Sequence, residues 1–273
     1  MFLAELKRSI CNKKFLFIII FGILILFLGA FSNLKDYIFF NYNASDLNTP
    51  KLQHGAHEIV RIGFNKYSVW FDMLKYYTIT VPILAALPFS TSFVDDKKYN
   101  LIQCINSRVN HKKYIFAKIL SNGIAGGISV ALPVLIGSIV VNLFFSGSID
   151  EFYAKGAYGG IFSSIVISNF NLYILIHCLI LFIFGFAYSN LALAVSTKSS
   201  KKFAILTSPF LFFLISTVIG QVLNIKLLRG SRTIQFYLNP TVSMSEILIQ
   251  FILLLVVFSV IFLNFSKKEY IYE

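Results

Sequence analysis

Six stretches of this chain are apolar and long enough to cross a bilayer: Phe15 to Phe31, Tyr76 to Phe93, Ile119 to Phe145, Leu172 to Val195, Phe203 to Leu223 and Ile247 to Phe265. A spanning helix needs roughly 20 mostly apolar residues, with about 17 as a minimum. In hydrocarbon each backbone N–H and C=O must find a partner within the protein, so a single apolar span folds as a helix. The expected fold class is therefore all-α, a polytopic membrane protein of six transmembrane helices forming one domain over residues 1–273.

Composition supports this and excludes other classes. Only 13% of residues are charged and 57% are hydrophobic, whereas a soluble domain carries about 25% charged residues. The same hydrophobicity excludes disorder. The net charge of +12 is expected to meet lipid headgroups or set topology, and no nucleic-acid partner is expected. Three scattered cysteines, Cys11, Cys104 and Cys178, form neither a disulfide framework nor a zinc pattern. The first apolar stretch follows Lys13 and Lys14 as a signal peptide would, but no clean small-x-small site closes it. It is read as an uncleaved first span.

Basic residues orient the spans. With the N-terminus inside, residues 1–14, 94–114, 196–202 and 266–273 hold 14 Lys and Arg, against 8 in the longer outer segments 32–72, 146–171 and 224–246. Cytoplasmic loops carry such an excess, so both termini are expected to be cytoplasmic. The outer segment 32–72 is rich in aromatics and is expected at the interface, with residues 58–74 as a short amphipathic helix returning into span two.

Within the six apolar cores His177 is the one ionisable side chain, and it is read as packed or interfacial. Coupled carriers place carboxylates at mid-membrane, and none is present there. The chain has no Gly-Lys dipeptide, so it lacks the phosphate-cradling loop G-x-x-x-x-G-K-[ST]. It is not expected to be an enzyme, and no cofactor or metal is expected in it. His54, His57 and Glu58 match neither zinc-protease helix motif and are read as solvated. Gly123 and Gly127 form a G-x-x-x-G that lets a helix approach closely, either within the chain or in a dimer.

Two inner segments look built for contact. Phe2, Leu3, Leu6 and Ile10 recur at helical spacing opposite Lys7, Arg8, Lys13 and Lys14, which reads as an amphipathic helix over residues 1–14 lying in the inner headgroups. In the segment 94–118, Leu101, Ile102 and Ile105 make an apolar stripe too short to hold a helix alone, so it needs a surface to pack on.

These residues resemble the permease subunits of bacterial ABC transporters of the type-2 export class, including antimicrobial-peptide export and immunity permeases of Gram-positive bacteria. The likeness is carried by Pro82, Ala85, Pro88, Phe89, Ser90, Ser92 and Phe93, then the acidic pair Asp95 and Asp96, an L-I-x-x-I, Ser107 and Arg108, and K-K-Y-I-x-x-K-I-L from Lys112 to Leu120. The order of features along nearly the whole chain carries it, including Asn239-Pro240 before the last span. The resemblance implies a coupling helix containing Asn100, Leu101, Ile102, Cys104, Ile105 and Asn106 that seats in an ABC ATPase. It also implies an elbow helix at the N-terminus and short helices dipping inward over 224–246. The partners it implies are two ATPase copies carrying the ATP and magnesium, and a second copy of this chain or a related permease in a bacterial plasma membrane. The cargo favoured is a hydrophobic or amphipathic molecule such as a peptide. Two departures stand out: the family's Gly near Tyr99 and Asn100, and its Pro near Ser107, are missing here. The alternative reading is a non-transporting sensor or assembly protein whose outer loop binds a partner.

Overall fold

The computed structural model describes residues 1–42, 44, 47–148 and 159–271, with Ile62 and residues 263–271 described by backbone alone. Parts of two expected loops, 149–158 on the outer side and 272–273 at the C-terminus, lie outside the described residues. Those described form helices, turns and irregular links, with no strand among them.

A short helix α1 (Phe2–Ile10) turns at Cys11 and Asn12 into α2 (Lys13–Ile38). The turn is set by Asn12, whose side chain accepts from Phe15 N at 2.8 Å as an N-cap. Then follow α3 (Pro50–Gly63), α4 (Lys66–Ala86), the short pair α5 (Ser92–Lys98) and α6 (Leu101–Asn106), and the long α7 (His111–Phe144). After the one-turn α8 (Ser163–Ser168) come α9 (Phe170–Ser196), α10 (Lys202–Val222), the small α11 (Gly230–Ile234) and α12 (Met244–Ile271). The protein is a polytopic helical membrane protein. Among the described residues five helices, α2, α7, α9, α10 and α12, are long and apolar enough to cross a bilayer.

The second expected span, Tyr76 to Phe93, is displaced. Its helix, α4, starts ten residues earlier, at Lys66, and ends at Ala86. Pro88 explains the end, because it lacks the N–H that would bond to the Leu84 carbonyl. That carbonyl is taken instead by the Ser129 hydroxyl of α7 at 3.1 Å. The start is set by Asn65, whose side chain accepts from Tyr67 N. This cap, with Gly63 just before it, also divides the expected helix over 58–74 between α3 and α4. The α4 helix packs against α2, α7, α9 and α10, with Trp70, Leu74, Tyr77, Val81 and Leu84 buried. A helix lined by protein can carry Lys66, Asp72 and Lys75, because lipid does not face its whole circumference.

The most extensively packed helix pair is α7 with α9, and small residues bring the two backbones close. A Cβ on Gly185 would lie 2.8 Å from the Gly126 carbonyl oxygen and 3.0 Å from Gly127 Cα. Gly123 and Gly127 face Phe186 and Phe182 of α9, so this G-x-x-x-G is occupied within the chain. Backbone cannot yield as a side-chain tip can. Gly185→Ala is therefore expected to cost about 1–3 kcal/mol by overpacking, read as a lowered unfolding temperature in detergent. An unchanged temperature would mean that the two helices do not meet there.

His177 is wholly buried. Its ring centroid lies 5.1 Å from those of Trp70 and Phe236 and 5.6 Å from that of Tyr237. Phe236 and Tyr237 come from the segment after α10, where three-residue turns at Lys226–Leu228 and Phe236–Leu238 flank α11 and bury Thr233 and Ile234. His57 stacks on Tyr42, and Glu58 pairs with Arg61 at 3.1 Å. Among the described residues no group of three His, Cys, Asp or Glu is placed to hold a metal.

Candidate functional site

At the end of the bundle where α1, α5 and α7 meet, four charges are brought together. Lys118 of α7 and Asp96 of α5 are both 0% exposed, and Glu5 of α1 is 5% exposed. Lys118 Nζ donates to Asp96 Oδ2 and, at 3.1 Å, to Glu5 Oε2. Arg8, one turn after Glu5, donates to Asp96 Oδ1 at 2.7 Å. The Tyr114 hydroxyl donates to Asp96 Oδ2, also at 2.7 Å. Two carboxylates thus face two cations, and every charge has an opposite partner. The Phe89 ring lies beneath, 4.6 Å from Lys118 Nζ and 5.7 Å from Arg8 Cζ, so its π face adds to the cations' stabilisation.

The Asp96 carboxyl shows how the balance falls. Burial alone raises its pKa, but the Lys118 charge and the hydrogen bonds from Lys118, Tyr114 and Arg8 outweigh burial and hold it below the ordinary carboxylate range. The group stays ionised, and its network is closed. Such an arrangement suits no proton transfer; it locks three helices to one another.

Each helix supplies its member for a local reason. In α1 the buried residues are Glu5 and Ser9, on the side packed against α7. Leu3 is exposed, and Phe2, Leu6 and Ile10 are half-buried, so the apolar stripe expected to face lipid is shared between protein and bilayer. The turn from Leu87 to Thr91 carries the motif read in the sequence. Pro88 ends α4, Phe89 underlies the charges, and the Ser90 hydroxyl donates to the Ser189 carbonyl of α9 at 3.1 Å.

The chain then reverses twice. Asn100 adopts φ 53°, a left-handed conformation that Asn tolerates better than most residues. A glycine would serve equally at such a position. The helix α6 that follows is six residues long. Asn106 Oδ1 lies 3.2 Å from His111 Nδ1, and Asn110 caps α7 through Lys112 N.

Within α6 the stripe divides. Ile102 and Ile105 are half-buried against a cluster of Phe93, Tyr114, Leu193, Ala194, Phe258 and Phe262. Part of the surface that such a short helix needs is thus provided by α5 and α7 of the same chain. Leu101, Gln103 and Cys104 are exposed, as is Asn100. Sequence reasoning grouped Leu101 with the two isoleucines, passed over Gln103 and Glu5, and gave Asp96 and Lys118 no role in a site. The signal was there: a lone acid on a basic helix, and an acidic pair and a lysine at opposite ends of one loop.

Comparison with protein-family models, with curated proteins and with solved structures finds no match to this chain.

Proposed function

We propose that this chain is the membrane-spanning subunit of an ATP-driven exporter of the ABC type, and that α6 is its contact with a separate ATPase. The observation that carries the reading is the junction just described. A short helix presents Leu101, Gln103 and Cys104 outward, and it is tied to the bundle by Ile102, Ile105 and the Asp96–Lys118 pair at the two ends of its loop. The likeness of residues Pro82 to Leu120 to export permeases supports it from the sequence side.

On this reading α4 counts as a sixth, protein-lined span between α2 and α7, and both termini lie in the cytoplasm of a bacterial cell. ATP and magnesium belong to the partner, and hydrolysis occurs there. The ATPase moves the permease only so far as α6 packs differently against its open and closed forms, since a ligand shifts an equilibrium by its differential affinity alone. A displacement of α6 passes into α5, then through Asp96 to α1 and α7 together, so three elements move as one. A second permease copy, identical or related, completes the pathway. Its cargo is a hydrophobic or amphipathic molecule such as a peptide, in keeping with spans whose charges are few.

Detergent extraction from the native host tests this. The chain is expected to retain a P-loop ATPase subunit, with ATP hydrolysis in the purified complex. Recovery of the chain without any ATPase, under conditions that preserve its fold, would sink the proposal.

A further inference from the structure

Buried Ser and Thr hydroxyls on helices normally return their proton to a carbonyl three or four residues earlier. In this protein Ser9, Ser121, Ser129, Ser189, Ser196 and Thr197 do so. Ser92 is the exception. It is 5% exposed, and it is the one buried Ser or Thr among the described residues whose hydroxyl has no partner.

Ser92 lines a cleft of about 360 Å³ between the α1–α2 corner and the α4–α5 turn, together with Arg8, Lys13, Lys14, Phe89 and Thr91. The one carboxylate on its wall, Asp95, is paired with Lys202 at 2.7 Å. Arg8 is held by Asp96. Lys13 and Lys14 are exposed and make no ion pair among the described residues, so the cleft has two uncommitted positive charges and one uncommitted donor. A phosphate group meets both needs.

The surroundings select which phosphate. Lys13 begins α2, where the chain enters the bilayer. At helical spacing from it, Phe17, Ile20, Leu24, Phe27 and Phe31 are all exposed, so one face of the helix runs as an apolar stripe from the cleft into the hydrocarbon. A soluble anion uses the lysines alone; a lipid uses the lysines and the stripe. We propose that the cleft binds the headgroup of an anionic phospholipid, with Lys13 and Lys14 as counter-charges, Ser92 as a donor to the phosphate, and the acyl chains along the Lys13 face of α2. This stands on the membrane fold and does not depend on the exporter reading.

Native mass spectrometry of the detergent-purified full chain, titrated with phosphatidylglycerol or phosphatidylcholine, tests it. Two lysines near an anionic headgroup predict about a 30-fold preference for phosphatidylglycerol. The double variant Lys13→Gln/Lys14→Gln is expected to lose that preference, and Lys13→Arg/Lys14→Arg to keep it. Ser92→Ala is expected to weaken phosphatidylglycerol binding about threefold, one neutral hydrogen bond's worth, with unchanged thermal unfolding. Lys112→Gln/Lys113→Gln, at two lysines that do not line the cleft, serves as the control and is expected to keep the preference. Equal retention of the two lipids, or a preference that survives Lys13→Gln/Lys14→Gln, overturns the proposal. So does displacement of the lipid by inorganic phosphate at submillimolar concentration, which would assign the cleft to a soluble anion.

Discussion

Asp96→Ala is expected to cost this protein about 3–5 kcal/mol, the penalty of removing one partner from a buried ion pair and stranding the other. The side chains of Lys118 and Asp96 are both wholly buried, and without Asp96 the lysine keeps only Glu5, at 3.1 Å. Removing both halves should be gentler. In Asp96→Leu/Lys118→Met no charge is stranded at the centre, Glu5 keeps Arg8 at 3.6 Å, and apolar groups replace polar ones of similar size. Replacing a whole buried pair in this way is often neutral, so the double variant is expected to regain most of the loss. Trp70, the only tryptophan and a buried one, reports unfolding by fluorescence in detergent. Trypsin adds a local readout, since Lys7, Arg8, Lys13 and Lys14 flank the α1–α2 corner that the cluster pins. Faster cleavage there should accompany Asp96→Ala. A single variant within about 1 kcal/mol of the parent would show that the four charges do not act as a unit.

The pH dependence follows from the sign of the Asp96 shift. Its pKa in the folded chain lies below the ordinary value of 3.8, so the unfolded chain binds the proton more readily. The stabilisation is then fully present above that ordinary value and is lost only as pH falls through the depressed folded pKa. Between pH 5 and 7 the contribution of Asp96 is therefore constant. A junction of this kind is a fixed mechanical tie across physiological pH, which suits a part that transmits displacement.

How much of this could be read from the residues depends on what each helix faces. The spans α2, α7, α9, α10 and α12 were legible because lipid demands apolar composition over a fixed length. The α4 helix was misplaced because four neighbours line it, so its N-terminal half tolerates Lys66, Asp72 and Lys75. A reading based on hydropathy slides past these charges toward Phe93 and misses the stop at Pro88. The glycines of α7 announced a close approach but not with which helix; only the fold brings Gly185 against Gly126. The charge cluster was harder to read for a different reason. Counting Lys and Arg in loops treats each as an independent topology signal, and Lys118 counts equally whether it faces headgroups or Asp96. The pairing joins residues 5, 96 and 118, which share no local pattern.

The division within α6 leads to the second large effect. If the proposed exporter reading holds, Leu101→Asp with Cys104→Asp is expected to lower association with the proposed ATPase more than tenfold, because an apolar contact would be replaced by charges that the partner must desolvate. Both side chains are exposed in this chain, so thermal unfolding should move by no more than about 0.5 kcal/mol, the usual range for surface changes. Ile102→Ser with Ile105→Ser should behave in the opposite sense. Those side chains are partly buried against the cluster that contains Phe93 and Tyr114, and losing such burial costs roughly 1–3 kcal/mol for each half-buried or fully buried aliphatic group. Stability then falls first, and any loss of assembly follows from it. Co-purification and Trp70 fluorescence measured on the same two double variants separate these outcomes. If the aspartate pair assembles like the parent while the serine pair loses the ATPase at unchanged stability, the outward and inward faces of α6 have been assigned the wrong way round. If neither pair alters assembly, the ATPase contact lies elsewhere, and the four lysines that line the neighbouring cleft between α5 and the α9–α10 link, Lys97, Lys98, Lys198 and Lys202, become the surface to change next.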